Sequence, residues 1–121
     1  MNDLLAGRRI LVVEDAFMVL LLTENMLGDM GCKAVSAAGT VDQALDMIED
    51  QSFDAAVLDL NLDGEKPYLV ADALAERGVP FMFATGYVGH DVKNGYGDRL
   101  LLKKPYQPAD LAEALTHVLA E

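Results

Sequence analysis

The chain has 121 residues, of which 52% are hydrophobic, so it is long enough for one domain with a buried core and too apolar for a disordered chain. Its 20 acidic side chains outnumber the 9 basic ones and give a formal net charge of -11, which opposes binding to nucleic acids or membranes and favours a protein partner or a cation. Cys32 is the single cysteine, which excludes an internal disulfide, and the longest apolar run, residues 16–22, is too short to span a bilayer, so we expect a cytoplasmic protein.

Five short apolar runs recur along the chain, with helical patterns between them. The second run is the weakest, and the predicted strands are residues 10–13, 33–37, 55–58, 81–84 and 100–102. Continuous apolar runs of this length are typical of strands buried on both faces, as in a parallel sheet covered by helices. The alternation predicts an α/β domain with a doubly wound, five-stranded parallel sheet.

The helical patterns cover residues 16–30, 41–51, 67–77 and 108–119. Gly31 and Gly78 stand where the first and third helices should end, and Thr40 and Pro108 mark helix starts. Residues 86–97, before the last strand, contain four glycines, and each glycine costs a helix interior about 1 kcal/mol. We therefore expect the fourth helix, in this segment, to be short or disordered.

Polar side chains follow four of the predicted strands at their carboxyl ends, where ligands bind in an open parallel sheet. They are Glu14 and Asp15 after the first strand, Asp59 after the third, Thr85 after the fourth and Lys104 after the fifth. If these strands are neighbours, three carboxylates, a hydroxyl and an ammonium converge on one crevice. Crowded carboxylates stay ionised only beside a cation, and hard oxygen ligands with open positions indicate Mg²⁺.

Four stretches, LVVED, VLDLNL, FATGY and KKPY, together resemble the receiver domain of two-component response regulators. The resemblance extends from about residue 9 to residue 119. It implies a flavodoxin-like (βα)5 fold with strand order 2-1-3-4-5. It also implies that residues 1–121 form a single phosphoacceptor domain without an output domain. The stretch PFMFATGY is similar, more narrowly, to the FATGUY subgroup of receivers, many of which are stand-alone proteins.

The resemblance assigns a phosphoryl and metal site to the first and third strand ends. Asp59 corresponds to the phosphoacceptor, and Glu14 and Asp15 correspond to the acid pair that holds Mg²⁺. Asn61 corresponds to the residue that lends a backbone carbonyl to the metal. These roles agree with the chemistry, because a carboxylate can attack a phosphohistidine in line once the charge on the phosphoryl oxygens is neutralised.

Thr85 and Lys104 correspond to the pair that senses the phosphoryl group. Pro105 follows Lys104 and disfavours a helical backbone there, which can hold this lysine extended at the strand end. Receivers commonly carry a switch aromatic three positions before the active lysine, whereas this chain has Leu101. Signalling through a rotating ring on the fifth strand is therefore in question, and Tyr87 is a candidate to replace it.

The first predicted helix has apolar side chains on two faces. At 100° per residue, Phe17, Leu20 and Leu21 lie opposite the predicted core face, which consists of Val19, Leu22, Thr23, Met26 and Met30. Large apolar side chains on an outer face beside the crevice indicate a partner-docking surface, to which Tyr87 would belong. Cover by neighbouring loops or by the last helix is the alternative.

The sequence thus predicts a stand-alone receiver that accepts a phosphoryl group from a histidine kinase or phosphotransfer protein, with Mg²⁺ as cofactor. It would signal to a downstream protein target or act as a phosphate shuttle or sink, with at most slow autodephosphorylation rather than enzyme activity. A pseudo-receiver that binds partners without phosphorylation is an alternative. A small Mg²⁺-dependent phosphatase is disfavoured because Asn61 replaces an acid/base aspartate, and a nucleotide binder is disfavoured because Glu14 and Asp15 would repel phosphate.

Overall fold

The computed structural model describes residues 5–62, 65–86 and 99–120. The strands in this part of the chain are β1 (Arg9–Val13), β2 (Ala34–Ala38), β3 (Ala55–Asp59), β4 (Phe81–Thr85) and β5 (Leu101–Lys103). The helices are α1 (Phe17–Asp29), α2 (Val41–Asp50), α3 (Tyr68–Glu76) and α4 (Pro108–Ala120). Each of these elements was predicted, with both ends within one residue of the observed bounds.

The five strands form one parallel sheet in the order β2-β1-β3-β4-β5. This confirms the predicted doubly wound, flavodoxin-like fold and its strand order. The register places Val13 beside Leu58 and Asp59 beside Ala84, so β1, β3 and β4 end at the same level. The residues that end or follow these strands therefore meet at one edge of the sheet.

Alternate side chains of the inner strands fill two cores, one on each face of the sheet. The core under α2 and α3 includes Leu11, Leu58 and Phe83, and the core under α1 and α4 includes Ile10, Val57 and Met82. These six side chains are almost fully buried, and burying a side chain of this kind stabilises the fold by roughly 1.5–3 kcal/mol. Two-sided burial explains the continuous apolar runs of β1, β3 and β4.

The two edge strands do not share this burial. Most of β2 is half-buried, and in β5 Leu101 is 40% exposed while Lys103 is exposed. The prediction that every strand is buried on both faces is therefore wrong for the edges among the described residues. The reason is that a short apolar run records only hydrophobicity, whereas burial also depends on whether a strand has neighbours on both sides.

Local signals at the helix ends behave as the sequence predicts. The Thr40 hydroxyl caps α2 by accepting a hydrogen bond from the Gln43 backbone at 3.1 Å. Gly31 and Gly78 follow α1 and α3 with φ of 89° and 71°, a left-handed conformation that glycine adopts without steric cost. Helix α1 begins differently, because the Glu14 carboxylate accepts from the Ala16 backbone N–H at 3.1 Å.

The buried line of α1 differs from the predicted one. Thr23 and Leu27 are buried and Leu20 packs half-buried against the core below α1 and α4, whereas Leu22 is 53% exposed. Leu20 therefore does not lie on the outer face, and Leu22 does not lie on the core face. The helix is apolar around much of its circumference, so periodicity alone could not fix its rotation against the sheet. Phe17 and Leu21 are exposed, as predicted.

Two predictions fall outside the described residues. The short or disordered fourth helix was expected at residues 86–97, nearly all of which lie in the segment 87–98, and Tyr87 lies there as well.

Among the helices described above, none has the length and apolar character required to cross a membrane.

Candidate functional site

Three carboxylates converge at the carboxyl edge of the sheet. Glu14 and Asp15 follow β1, Asp59 ends β3, and one carboxylate oxygen from each lies within 4.8 Å of the other two. Glu14 and Asp59 are 3% and 5% exposed, while Asp15 is exposed to solvent. Like charges this close repel one another, so the cluster needs a cation to keep all three groups ionised.

Lys104 brings a positive charge into this cluster. Its Nζ lies 2.8 Å from Glu14 Oε1 and 3.3 Å from Asp59 Oδ2. The backbone N–H of Lys104 donates to the Thr85 carbonyl at 2.7 Å, which fixes the lysine beside the end of β4. Lys104 therefore contacts three other predicted site residues, Glu14, Asp59 and Thr85. Glu14 is the nearer of its two carboxylate partners.

The acid–base properties of the cluster follow from burial and charge. Burial raises the pKa of Glu14 from 4.5 to about 7, and the hydrogen bond with Asp59 acts in the same direction, against the bonds from Lys104 and Ala16. Burial lowers the pKa of Lys104, but the bond to Glu14 and the charges of Asp59 and Glu14 outweigh it, so this pKa is raised. One ammonium thus neutralises the carboxylates only in part.

Two further predicted residues border the cluster. Thr85 is 3% exposed at the end of β4, and the Asn61 backbone N–H donates to Asp59 Oδ1 at 3.3 Å. Leu101 lies on the edge strand and is 40% exposed. It has no ring that could turn in and out of a pocket beside Thr85.

The donor set fits Mg²⁺. The ion prefers carboxylate oxygens, usually takes only one or two carboxylates from the protein, and keeps several waters or a phosphate on its remaining positions. Glu14, Asp15 and Asp59 supply oxygens close enough to share one ion, and exposed Asp15 leaves an open side for water and phosphate. Zn²⁺ is a poorer match because these ligands include neither histidine nor cysteine.

Sequence reasoning missed a hydrogen bond next to this cluster. The Tyr106 hydroxyl lies 2.6 Å from the Thr23 hydroxyl, and both groups are buried. The pair borders a mainly apolar cavity of about 380 Å³ whose other lining residues are Val19, Leu22, Met26, Gly86, Lys104 and Pro105. A threonine within an apolar helix, together with a tyrosine two residues after the lysine, was the available signal.

The outer face of α1 carries exposed apolar side chains beside the crevice. Phe17 is 70% exposed, Met18 64%, Leu22 53% and Leu21 40%. These four residues, called the α1 patch below, begin three residues after Glu14. A cluster of large apolar side chains of this kind is typical of a surface that binds another protein.

Comparison with known proteins identifies relatives of the chain. Residues 10–116 match the family profile "Response regulator receiver domain". No curated protein matches the chain. SdrG from Sphingomonas melonis Fr1 has a similar solution structure, with 39% identity, a TM-score of 0.83, and coverage of 98% of this chain and 99% of SdrG.

Two other solved structures are similar to the chain. A BeF3-activated conformation of SdrG from Pseudomonas melonis Fr1 is 38% identical, with a TM-score of 0.79 and coverage of 94% of this chain and 98% of that one. The receiver domain of the sensor histidine kinase PA1611 from Pseudomonas aeruginosa PAO1 has a magnesium ion in its active site cleft. It is 25% identical, with a TM-score of 0.79 and coverage of 96% and 100%.

Proposed function

Because the chain belongs to the response regulator receiver family, we propose that it accepts a phosphoryl group on Asp59 from the phosphohistidine of a histidine kinase or phosphotransfer protein. The observation that carries this proposal is the grouping of Asp59 with Glu14, Asp15 and Lys104 at one sheet edge. Asp59 would be the nucleophile, and the neighbouring carboxylates and Lys104 would gather the positive charge that offsets the phosphoryl oxygens.

The transfer is an in-line displacement. An Asp59 carboxylate oxygen forms a bond to phosphorus, the bond between phosphorus and the imidazole nitrogen breaks, and its electron pair remains on that nitrogen. Lys104, whose Nζ lies 3.3 Å from Asp59 Oδ2, is placed to pair with a phosphoryl oxygen. Thr85, at the end of the neighbouring strand, would donate its hydroxyl to another.

Glu14, Asp15 and Asp59, with the backbone carbonyl of Asn61, would hold Mg²⁺. When bound, the ion supplies positive charge that offsets the phosphoryl oxygens during transfer. Lys104 Nζ lies 2.8 and 3.3 Å from two of the same carboxylates. We expect the lysine to exchange these partners for phosphoryl oxygens when Asp59 is phosphorylated.

The output of such a protein is a change in binding rather than turnover of a substrate. The stretch PFMFATGY supports a receiver of the FATGUY type. It would serve as a modulator, shuttle or sink for phosphoryl groups, with slow autodephosphorylation. A cytoplasmic location fits partners of this kind.

The α1 patch is the proposed docking surface for the phosphodonor. It lies next to the crevice, and Phe17 and Leu21 are its members that the sequence also predicted. Leu20 is excluded from direct docking because it packs against the core. A helical donor that presents its histidine to Asp59 needs an adjoining apolar contact of this kind.

The proposal is tested by incubating the protein with Mg²⁺ and acetyl phosphate, then measuring intact mass and mapping the modified peptide. One hydroxylamine-labile phosphoryl group on Asp59 is expected, and none in Asp59→Asn. Labelling that persists in Asp59→Asn would contradict the assignment. An unlabelled chain that still captures partners would instead favour a pseudo-receiver.

A further inference from the structure

The hydrogen bond between Tyr106 and Thr23 joins two distant parts of the chain beside the reactive cluster. The residues are 83 positions apart, Tyr106 is 9% exposed and Thr23 is 1% exposed. Tyr106 belongs to the core between the sheet and helices α1 and α4. The ring therefore has a packing role, but packing alone does not require a hydroxyl or a threonine opposite it.

The direction of this bond follows from the other bond that Thr23 makes. Thr23 donates its single hydroxyl proton to the Val19 carbonyl at 2.8 Å, so its oxygen accepts from Tyr106. Removal of the tyrosine hydroxyl leaves the threonine bonded within α1. Removal of the threonine hydroxyl takes away the acceptor of a buried tyrosine O–H, which is the more costly loss.

This bond ties down the segment that carries Lys104. On one side of the lysine, its backbone N–H is bonded to the Thr85 carbonyl at 2.7 Å. On the other side, Tyr106 is only two residues away and is anchored to α1. A lysine side chain is long and flexible, so the position of Nζ between Glu14 and Asp59 depends on how firmly its backbone is held.

We propose that Tyr106 and Thr23 are positioning residues, whose mutual hydrogen bond fixes the Lys104 backbone so that its ammonium reaches the carboxylates in the resting state and the phosphoryl group in the loaded state. The second half of this statement rests on the proposed function, whereas the first half does not. The bond needs both hydroxyls, that of Tyr106 two residues after the lysine and that of Thr23 on α1.

The resting-state and loaded-state parts of the proposal predict opposite changes in ligand affinity when the bond between Tyr106 and Thr23 is removed. Mg²⁺ must take Glu14 and Asp59 from Lys104, so a loosely held lysine competes less and Mg²⁺ binds more tightly. A phosphoryl mimic needs the lysine as a partner, so the same loosening weakens its binding. A general loss of structure would weaken both ligands together, which makes the opposite signs diagnostic.

The experiment uses Tyr106→Phe, Thr23→Val and the double variant. Mg²⁺ affinity is measured by calorimetry, and beryllofluoride affinity by fluorine NMR at saturating Mg²⁺. Loss of one hydrogen bond predicts a gain of about two- to fivefold for Mg²⁺ and a loss of about three- to tenfold for beryllofluoride. The double variant should match Tyr106→Phe, because both lack the bond and neither leaves a buried tyrosine hydroxyl without its acceptor.

Thr116→Val is the matched control. Thr116 donates to the Ala112 carbonyl at 2.7 Å in α4, as Thr23 does to Val19 in α1, so the control removes the same kind of helical bond. It should leave both affinities unchanged. Mg²⁺ affinity that is unchanged or falls in Tyr106→Phe and Thr23→Val overturns the positioning role.

The two proposals fail separately. If the unmodified protein is neither labelled by acetyl phosphate nor able to bind beryllofluoride, the proposed function is wrong, and the Mg²⁺ measurement still decides whether the bond positions Lys104. If the unmodified protein is labelled but the variants bind beryllofluoride as tightly as it does, the phosphoryl half of the positioning role is overturned.

Discussion

Asp59→Asn should stabilise the metal-free protein at neutral and alkaline pH while abolishing phosphoryl acceptance. The change is nearly isosteric and removes one negative charge from a cluster in which Glu14 and Asp59 are both buried. Lys104 keeps Glu14 as a partner at 2.8 Å. The replacement therefore relieves repulsion without leaving the lysine unpaired.

The magnitude follows from the pKa of Glu14, which burial, and then the bond with Asp59, raise from 4.5 to about 7. A carboxyl group whose pKa is raised in the folded state contributes stability below its unfolded pKa, and this contribution is lost as the pH rises through the folded pKa. The metal-free protein should thus lose at most about 3 kcal/mol between pH 4.5 and pH 7. The raised pKa of Lys104 adds no slope in this window, because the lysine stays protonated throughout it.

Asp59→Asn removes the part of this loss that comes from Asp59 and leaves the part that comes from burial. We expect the decline between pH 5 and pH 8 to shrink by about 1 kcal/mol, which corresponds to a Glu14 pKa lower by less than one unit. The assay is urea unfolding in EDTA, followed by circular dichroism at several pH values. Asp46→Asn, on the exposed face of α2, controls for the change in net charge.

An equal pH slope in Asp59→Asn and the unmodified protein would refute this reasoning, because it would mean that Asp59 contributes nothing to the Glu14 pKa. An equal gain in Asp46→Asn would refute it differently, since the effect would then come from overall charge. Added Mg²⁺ should reverse the order of stabilities, because the ion stabilises the protein that retains all three carboxylates.

Asp15→Ala should weaken Mg²⁺ binding by about tenfold or more, or about 1.4 kcal/mol, and an unchanged calorimetric titration would place the metal elsewhere. Phe17→Ser combined with Leu21→Ser should slow phosphotransfer from a phosphorylated kinase by about fivefold or more while labelling by acetyl phosphate stays constant; equal losses with both donors would contradict a docking role. Leu20→Ala should instead lower the free energy of unfolding by about 2 kcal/mol, and urea unfolding without a loss would contradict its packing against the core.

Much of the fold could be read from local patterns because each pattern had a local cause. The inner strands are continuous apolar runs since both faces of the sheet are covered. Thr40 starts a helix through its hydroxyl, and Gly31 and Gly78 end helices through their left-handed backbone. The strand order came from the family resemblance. No local pattern contains it, because it depends on which distant runs become neighbours.

The sequence predicted which residues form the site but not which of them bond to one another. The strand ends indicated that Glu14, Asp59 and Lys104 would meet, and the structure places them together. Two details of the site depend on side-chain directions at three separate loops. Glu14 is the nearer partner of Lys104, and it also accepts a hydrogen bond from the Ala16 N–H at the start of α1. Sequence spacing does not carry that information.

The same limit explains the error in α1 and the missed pair. An apolar helix has several rotations that bury a similar area, so the choice between Leu20 and Leu22 depended on a contact outside the helix. Thr23 is buried and already bonded to the Val19 carbonyl within α1, and its oxygen also accepts from the buried Tyr106 hydroxyl, 83 residues away. A buried tyrosine hydroxyl needs such a partner, so the rotation of α1 and the position of the Tyr106 loop are consistent with one another and must be solved together.

Lys104 has the arrangement expected of an internal counter-ion that can be displaced. Burial raises the pKa of Glu14 to about 7 even with Lys104 bonded to it, so without this cation the two buried carboxylates would bind protons still more readily. The ammonium offsets part of the negative charge of Glu14 and Asp59 through contacts of 2.8 and 3.3 Å. A hydrated divalent ion can replace it beside the carboxylates, because the lysine backbone is held separately by its bond to the Thr85 carbonyl. Since Leu101 offers no rotating ring, we expect the exchange of partners at the Lys104 ammonium, on a backbone that Tyr106 holds in place, to be the switching movement beside Asp59.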